Sequence, residues 1–366
     1  MSSLKETIAK VYANYVVKKT AKWSNNPIKT QEKVMKKLIS RAKNTKFGKD
    51  HDFKNILNYS DFSKNIPVRD YEDIKPYVQQ IIDGENNVLW PKKPIYFAKT
   101  SGTTSGEKYI PITKDSMPFH VKGSVDATMH YIVETNNTKF LNKKIIFVQG
   151  SPVLGSVNGI KTGRLSGIVA HYTPAFLRKN TMPSWEVNCI EDWEKKIETI
   201  STETLNEDMA AIGGIPPWVV MYFDKLLSLS KKKTISEIFP SFSLFVYGGV
   251  NFSPYKNVFK KLIGKEIDSI EYYPASEGFF AYQDSQKKEG LLIQLNSGIF
   301  YEFIELSEMQ KPFPIRISIK DVELNKNYVL IVSTNAGLWG YNTGDTIAFV
   351  SLKPCRIIVT GRHKHF

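Results

Sequence analysis

The chain has 366 residues with 42% hydrophobic and 12% aromatic content, enough for one large or two ordinary domains around a substantial core. Its formal charge of +14 is lopsided, because residues 1–49 hold thirteen Lys/Arg against two Glu and so carry +11 of it. No apolar run approaches the ~18 residues of a membrane span, no signal-peptide core opens the chain, and Cys189 and Cys355 offer neither metal-ligand spacing nor a disulfide framework. The expectation is a cytoplasmic protein in a reducing compartment, with no stable membrane association.

Leu4, Ile8, Val11, Tyr12, Tyr15 and Val16 recur at helical spacing, and Val34, Leu38, Ile39 and Ala42 do so again after Pro27. These predict two amphipathic helices with basic outer faces. The lysines punctuate helical patterns without an Arg/aromatic stacking platform, which favours a solvated face over a nucleic-acid partner; a weak membrane-surface role for the first helix stays open. Residues 44–76, rich in Asp, Asn, Gly and Pro, read as an irregular connection with short helices around it.

Ile95 to Ala98 is a short β-like run, and Tyr109, Ile110 and Ile112 read as its return strand, with Thr113 as N-cap of a helix reaching the 130s. Between them lies Thr-Ser-Gly-Thr-Thr-Ser-Gly-Glu-Lys, from Thr100 to Lys108. The four hydroxyls from Ser101 to Ser105 and two glycines let side chains and backbone amides converge on one anion, which is phosphate chemistry. The spacing is not that of a Walker loop. Ile145 to Val148 is a buried-strand run; a Gly-rich stretch through Gly167 and a helix from Trp185 to about Ile200 follow. Gly213, Gly214, Pro216 and Pro217 then break the chain before a helix carrying Val219, Tyr222 and Leu226. Leu244 to Tyr247 runs into Gly248-Gly249-Val250-Asn251, with Ser253-Pro254 as the N-cap and first residue of a helix ended by Gly264. Ile270 to Tyr273 is a third buried strand. From Leu291 onward short strands alternate with turns, which suggests an antiparallel sheet or small barrel. Alternating strands and helices before that point imply an α/β architecture whose ligands sit off the carboxyl ends of the strands.

Thr100 to Lys108, Tyr272-Tyr273-Pro274-Ala275-Ser276-Glu277-Gly278 and Tyr341-Asn342-Thr343-Gly344-Asp345 together resemble the three nucleotide motifs of the adenylate-forming superfamily of acyl-CoA synthetases, peptide-synthetase adenylation domains and luciferase. Phe47-Gly48-Lys49-Asp50, Ile66-Pro67-Val68-Arg69-Asp70-Tyr71, Gly248 to Phe252 and Ala275 to Gly278 are similar to its branch of acyl acid amido synthetases, first named for auxin-responsive promoters. The likeness, to a bacterial-type member, runs from about residue 30 to the end.

The resemblance implies a large N-terminal domain over residues 1–360, with its β-rich part at about 290–360. Residues 361–366 would be the hinge to a small C-terminal domain that this chain lacks. It also implies that ATP adenylates a carboxylic acid with release of pyrophosphate, and that an amino acid or other amine then attacks to give an amide and AMP. Transfer of the acyl group to coenzyme A or a carrier thiol, and a nucleotide-binding scaffold without chemistry, are the alternatives.

On the family pattern Ser101, Gly102, Thr103, Thr104 and Ser105 cradle the phosphates, with Lys108 a neighbour. Glu277 holds Mg²⁺, Gly248, Gly249, Val250 and Asn251 form one wall of the adenine slot, and Tyr273, Pro274, Ala275 and Ser276 form the other. Asp345 accepts the ribose hydroxyls and Arg362 sits at the hinge. Glu107 departs from the small or neutral residue common at its place. Val148, His171, Ile215 and Phe279 are candidates to line the acid's slot, and His363 with His365 reads as a solvated tail. No oligomeric state follows from the sequence.

Overall fold

The computed structural model describes residues 4–101 (Ser101 by its backbone alone), 107–173, 179–311 and 314–363. Helices α1 (Leu4–Ser24) and α2 (Pro27–Ala42) form as their periodicity predicts, α2 opening on proline. Gln31 ties α2 to the sheet: its amide nitrogen donates to the carbonyls of Leu295 (2.7 Å) and Ile299 (2.9 Å), and its oxygen accepts from Tyr301 N–H.

The segment after α2 is more regular than its composition suggests. Thr45, Asn58 and Asp70 are N-caps, accepting from backbone amides to start α3 (Lys46–Asp50), α4 (Tyr59–Asn65) and α5 (Tyr71–Ile82). At α5 Asp70 and Asp73 close a reciprocal capping box.

A twelve-stranded sheet, ordered β13-β12-β14-β15-β16-β11-β10-β9-β8-β7-β3-β6, crosses the chain. Strands β6 (Thr181–Met182), β3 (Lys144–Val148), β7 (Met209–Gly214), β8 (Leu244–Gly248) and β9 (Asp268–Ala275) run parallel. Their near-continuous apolar sequences follow from cover on both faces. Helix α6 (Met117–Thr135) packs on one side, and the helix Pro216–Ser230 buries Val219, Tyr222, Phe223 and Leu226 on the other. From β10 (Gly278–Tyr282) the pairing turns antiparallel through β11 (Leu291–Ile293), β16 (Cys355–Arg362), β15 (Tyr341–Leu352), β14 (Asn327–Thr334), β12 (Ile299–Glu305) and β13 (Arg316–Ser318). Of the sheet and the barrel that the alternating strands allow, the antiparallel sheet forms, and it continues the parallel half.

A second sheet, ordered β2-β1-β5-β4, pairs β1 (Tyr96–Ser101) and β2 (Glu107–Ile112) with a hairpin from the Gly-rich stretch, β4 (Gly155–Val157) and β5 (Ile160–Gly163). The helix expected from Trp185 to Ile200 is two, Trp185–Asn188 and Trp193–Thr204, because Asp192 caps a fresh start by accepting from Lys195 N–H at 2.7 Å. The N-cap of α6 is Ser116 and not Thr113; the two are tied together just ahead of the helix, Ser116 Oγ accepting from Thr113 N–H and Thr113 Oγ1 from Ser116 N–H.

Candidate active site

Parallel strands bring the carboxyl ends of β3, β7, β8 and β9 to one edge. At the end of β8, Gly248 pairs with Tyr272, and a Cβ at Gly248 would stand 2.4 Å from the Tyr272 carbonyl oxygen. Gly249 follows with φ +82°, a left-handed conformation suited to glycine. Val250 is exposed beyond it. Asn251 Oδ1 then accepts from Ser253 N–H at 2.9 Å. The cap that the sequence places at Ser253 does not form: Ser253 opens a 3₁₀ turn, Ser253–Tyr255, and the helix Lys256–Ile263 follows it without a side-chain cap and ends at Gly264 with φ +80°.

Beside this turn β9 carries Tyr273, Pro274 and Ala275, reverses at Ser276 and Glu277, and returns as β10 with Gly278 opposite Ala275. The Tyr273 hydroxyl donates to Asp345 Oδ2 at 2.7 Å. Asp345 belongs to β15, at a bulge where Gly344 has φ +78°, Asn342 Oδ1 accepts from Gly344 N–H and Thr343 Oγ1 accepts from Asp345 N–H. Its other oxygen meets Arg362 of β16, Nε to Oδ1 at 3.0 Å, and Arg362 also donates to the Thr343 carbonyl. Asp345 is thus gripped from both sides, by a buried phenol and by an exposed guanidinium.

Glu277 completes the cluster. Burial, then the carboxylate of Asp345, push its carboxyl up to about 7, against the opposing pull of its own amide, Arg362 and Lys108. Burial and the same two acids raise the Tyr273 hydroxyl well above its ordinary range. Lys108 comes from the hairpin: β1 and β2 end with Ser101 opposite Glu107. Gly102, Thr103, Thr104 and Ser105 lie outside the described residues. Glu107 is occupied by Lys99, Nζ to Oε2 at 3.0 Å, and by the Tyr109 hydroxyl, which hold its carboxyl below the ordinary range.

The sequence does not signal what joins these pieces. Arg69 N–H donates to the Gly340 carbonyl and Asn342 N–H to that of Arg69, so the stretch 66–71 runs beside the start of β15. Two residues on, the Tyr71 hydroxyl accepts from Tyr109 N–H at 2.8 Å, and Lys108 stands over the Tyr71 ring. The Arg69 guanidinium is itself held by His51 Nε2 at 2.7 Å and by the Phe47 ring. One short segment therefore laces the Asp345 strand to the hydroxyl-loop hairpin.

The four side chains proposed for an acid slot do not share one environment. Ile215 lies beside Gly249, 3.8 Å from the place of a Cβ there. Val148 is 1% exposed and packs beneath the sheet with Val219 and Ile146. Phe279 is buried against Gly123 of α6 and 5.5 Å from the Tyr272 ring. His171 is exposed, with Nε2 bonded to the Pro152 carbonyl and its ring edge-on to Trp185. The pleat turns Phe147, not Val148, to the open side, where it is 40% exposed over Gly213. Arg164 comes against Gly150 just past β3, its Cδ 3.4 Å from the place of a Cβ.

Among the described residues no three His, Cys, Asp or Glu side chains cluster as a metal centre. The donor set suits a different arrangement: a carboxylate raised by burial beside a second carboxylate, a place where a divalent cation shared with a ligand's phosphates would relieve charge.

Comparisons with known proteins agree on the family. The GH3 family N-terminal domain matches residues 16–188 and 160–267, and the GH3 family central domain matches 292–362. The indole-3-acetic acid-amido synthetase GH3.2 of Arabidopsis thaliana is 34% identical over 88 residues, 24% of this chain and 16% of that protein. The jasmonoyl--L-amino acid synthetase JAR4 of Nicotiana attenuata is 21% identical over 393 residues, covering 87% of this chain and 66% of that protein. These matches span less than two thirds of the relatives' lengths. In fold, the chain is similar to AtGH3.15 acyl acid amido synthetase in complex with 2,4-DB, with TM-score 0.80 and 16% identity over 97% of this chain and 71% of that one. It is also similar to 2-hydroxyisobutyryl-CoA ligase, with TM-score 0.54 and 10% identity over 90% of this chain and 73% of that one.

Proposed function

The chain belongs to the GH3 family, and from that premise we propose that it serves ATP-dependent coupling of a carboxylic acid to an amino acid or other amine. The observation that carries this reading is the convergence of Tyr273, Glu277, Asp345 and Arg362, with Lys108 close by, at the carboxyl ends of the parallel strands. In the first step a carboxylate oxygen attacks the α-phosphorus of ATP and pyrophosphate leaves. In the second the amine nitrogen attacks the acyl carbon, AMP leaves, and the amine's proton is lost to solvent.

In this reading Asp345 accepts the ribose hydroxyls, for which a carboxylate fixed on a strand bulge is suited. Gly248 to Asn251 and Tyr273 to Ser276 bound the adenine from adjacent strands, their close approach set by the missing Cβ at Gly248. Ser101 to Ser105 hold the phosphates. Glu277 would hold Mg²⁺, which supplies charge neutralisation at the phosphates. Ile215 and Phe147 line the acid's entry, with Val148 and Phe279 supporting it from the core and His171 and Arg164 at its rim. Residues 1–360 act as one large domain and residues 361–366 as its hinge.

The test is acid-dependent exchange of labelled pyrophosphate into ATP by the whole protein, across a broad panel of carboxylic acids, for the wild type and Asp345→Ala. Exchange in the wild type that the variant loses supports adenylation. Product masses with amino acids and coenzyme A offered together then separate amide from thioester. Absence of exchange while Mg-ATP still stabilises the protein would replace this reading with a nucleotide-binding scaffold, for which the cytosol remains the compartment proposed.

A further inference from the structure

Helix α1 is apolar on two opposite sides. One side, with Ala13, Val16, Thr20 and Trp23, is buried against the body of the protein. The other presents Leu4, Ile8, Val11, Tyr12 and Tyr15 to solvent, each between 47% and 78% exposed. These fall three and four residues apart, so they form one stripe along the helix. Isolated exposed apolar residues are ordinary, whereas a contiguous stripe marks a surface that meets something.

Three features identify what it meets. The helix is fixed in place, since Lys5 donates to the Leu141 carbonyl and Glu6 accepts from Thr138 and Asn142, so the stripe cannot roll inward. Past Tyr15 the same face continues as Lys18, Lys19 and Lys22, all exposed. Finally, a groove of about 510 Å³ between α1 and α2 adjoins that basic end, and every ionisable residue lining it is a lysine: Lys19, Lys22, Lys29, Lys33 and Lys37, around Trp23. The face is therefore apolar and tyrosine-bearing at one end and densely cationic at the other.

We propose that α1 and the α1–α2 groove form a docking surface for an anionic lipid bilayer. Leu4, Ile8 and Val11 reach the acyl boundary, Tyr12 and Tyr15 sit at headgroup level, and the lysines take lipid phosphates, the composition of an interfacial helix. A second copy of this chain fits worse, because face-to-face pairing would bring two lysine clusters together. No described helix is long and apolar enough to cross a membrane, and the contact proposed is one of an interfacial helix lying on the surface.

The test is co-sedimentation of the full chain with vesicles of phosphatidylcholine alone and of phosphatidylcholine containing phosphatidylglycerol, at low and physiological salt. Binding to the anionic vesicles only, weakened by salt, is expected. Lys18→Gln/Lys19→Gln/Lys22→Gln should lower partition on the order of a hundredfold, and Ile8→Gln/Val11→Gln/Tyr15→Gln should also abolish sedimentation. Both variants replace exposed side chains, and an unchanged melting temperature verifies the fold. Failure of the wild type to sediment with anionic vesicles overturns the proposal, as does binding that the apolar variant retains and inorganic polyphosphate competes away, which would make the groove a soluble-polyanion site. A dimer seen in light scattering without vesicles, and lost in the apolar variant, would assign the stripe to self-association instead.

Discussion

Replacing Glu277 by Gln separates what stabilises this chain from what the proposed chemistry needs. The Glu277 carboxyl is pushed up to about 7 from its ordinary 4.5, by burial first and by Asp345 next. Fully realised, that distance corresponds to about 3 kcal/mol of penalty for ionising Glu277 in the folded state. The carboxyl is enclosed although the residue as a whole keeps some exposure, and relaxation with solvent access along that side reduces the expected penalty to about 1–2 kcal/mol. The sign follows from the raised value. Below about pH 4.5 the group is protonated in both folded and unfolded chains and costs nothing. As pH rises to about 7 the unfolded chain ionises first and native stability falls; above that the full penalty applies. Glu277→Gln should therefore match the wild type below about pH 4 and exceed it by about 1–2 kcal/mol near pH 8.5, in urea unfolding without nucleotide. The same variant should lose the added stability that Mg-ATP confers. A Glu277→Gln chain no more stable than wild type near pH 8.5 would refute the electrostatic reasoning.

Asp345→Ala should remove the stabilisation by AMP or Mg-ATP, which for ligand held about 100-fold over its dissociation constant amounts to about 2.7 kcal/mol and is read as a melting shift. Arg316→Met should cost about 3–5 kcal/mol, because Arg316 pairs with the buried Glu302 at 2.9 Å and donates to the carbonyls of Ser63 and Ile66. Burial pushes the Glu302 carboxyl up to about 7 against the pull of Arg316; losing the arginine raises it further, so the deficit should shrink in acid, and Glu302→Gln beside Arg316→Met should recover part of it. Gly248→Ala would place a methyl 2.4 Å from the Tyr272 carbonyl; expected are a loss of about 2–3 kcal/mol on denaturation and weakened AMP binding in calorimetry, and an unaltered Kd would detach Gly248 from the adenine slot.

The parallel half of the sheet was legible because strands buried on both faces must be apolar throughout, and the glycines and proline that end β8 and open the next helix state their geometry locally. The motif stretches likewise fell where strand ends put them. What stayed hidden has physical reasons. An unbroken run such as Ile145 to Val148 carries no alternation, so its pleat phase cannot be read from sequence, and Phe147 rather than the expected Val148 is the residue turned outward. Thr45, Asn58 and Asp70 have the chemistry of turns as well as of caps, so the sequence suggests short helices here without giving their bounds. The strands β4 and β5 lie in a glycine-rich stretch and gain their order from a chain of pairings, β4 with β5 and β5 with the distant β1. The contact of Arg362 with Asp345 depends on a β15–β16 register that shifts twice, which no local pattern encodes.

Arg362 is a tenant of the place the proposed reaction assigns to ribose. Its guanidinium, 75% exposed, holds an aspartate that is 18% exposed, and an exposed partner makes such a pair worth at most about 1 kcal/mol. The arginine is then an internal competitor that a nucleotide displaces or shares with, lowering apparent affinity by up to about fivefold. Because Arg362 lies on the last strand, whose final residues also bond back through His363 N–H to the Gly344 carbonyl, filling the site would change how the chain leaves the sheet. The path of the outgoing strand would thus register occupancy of the site.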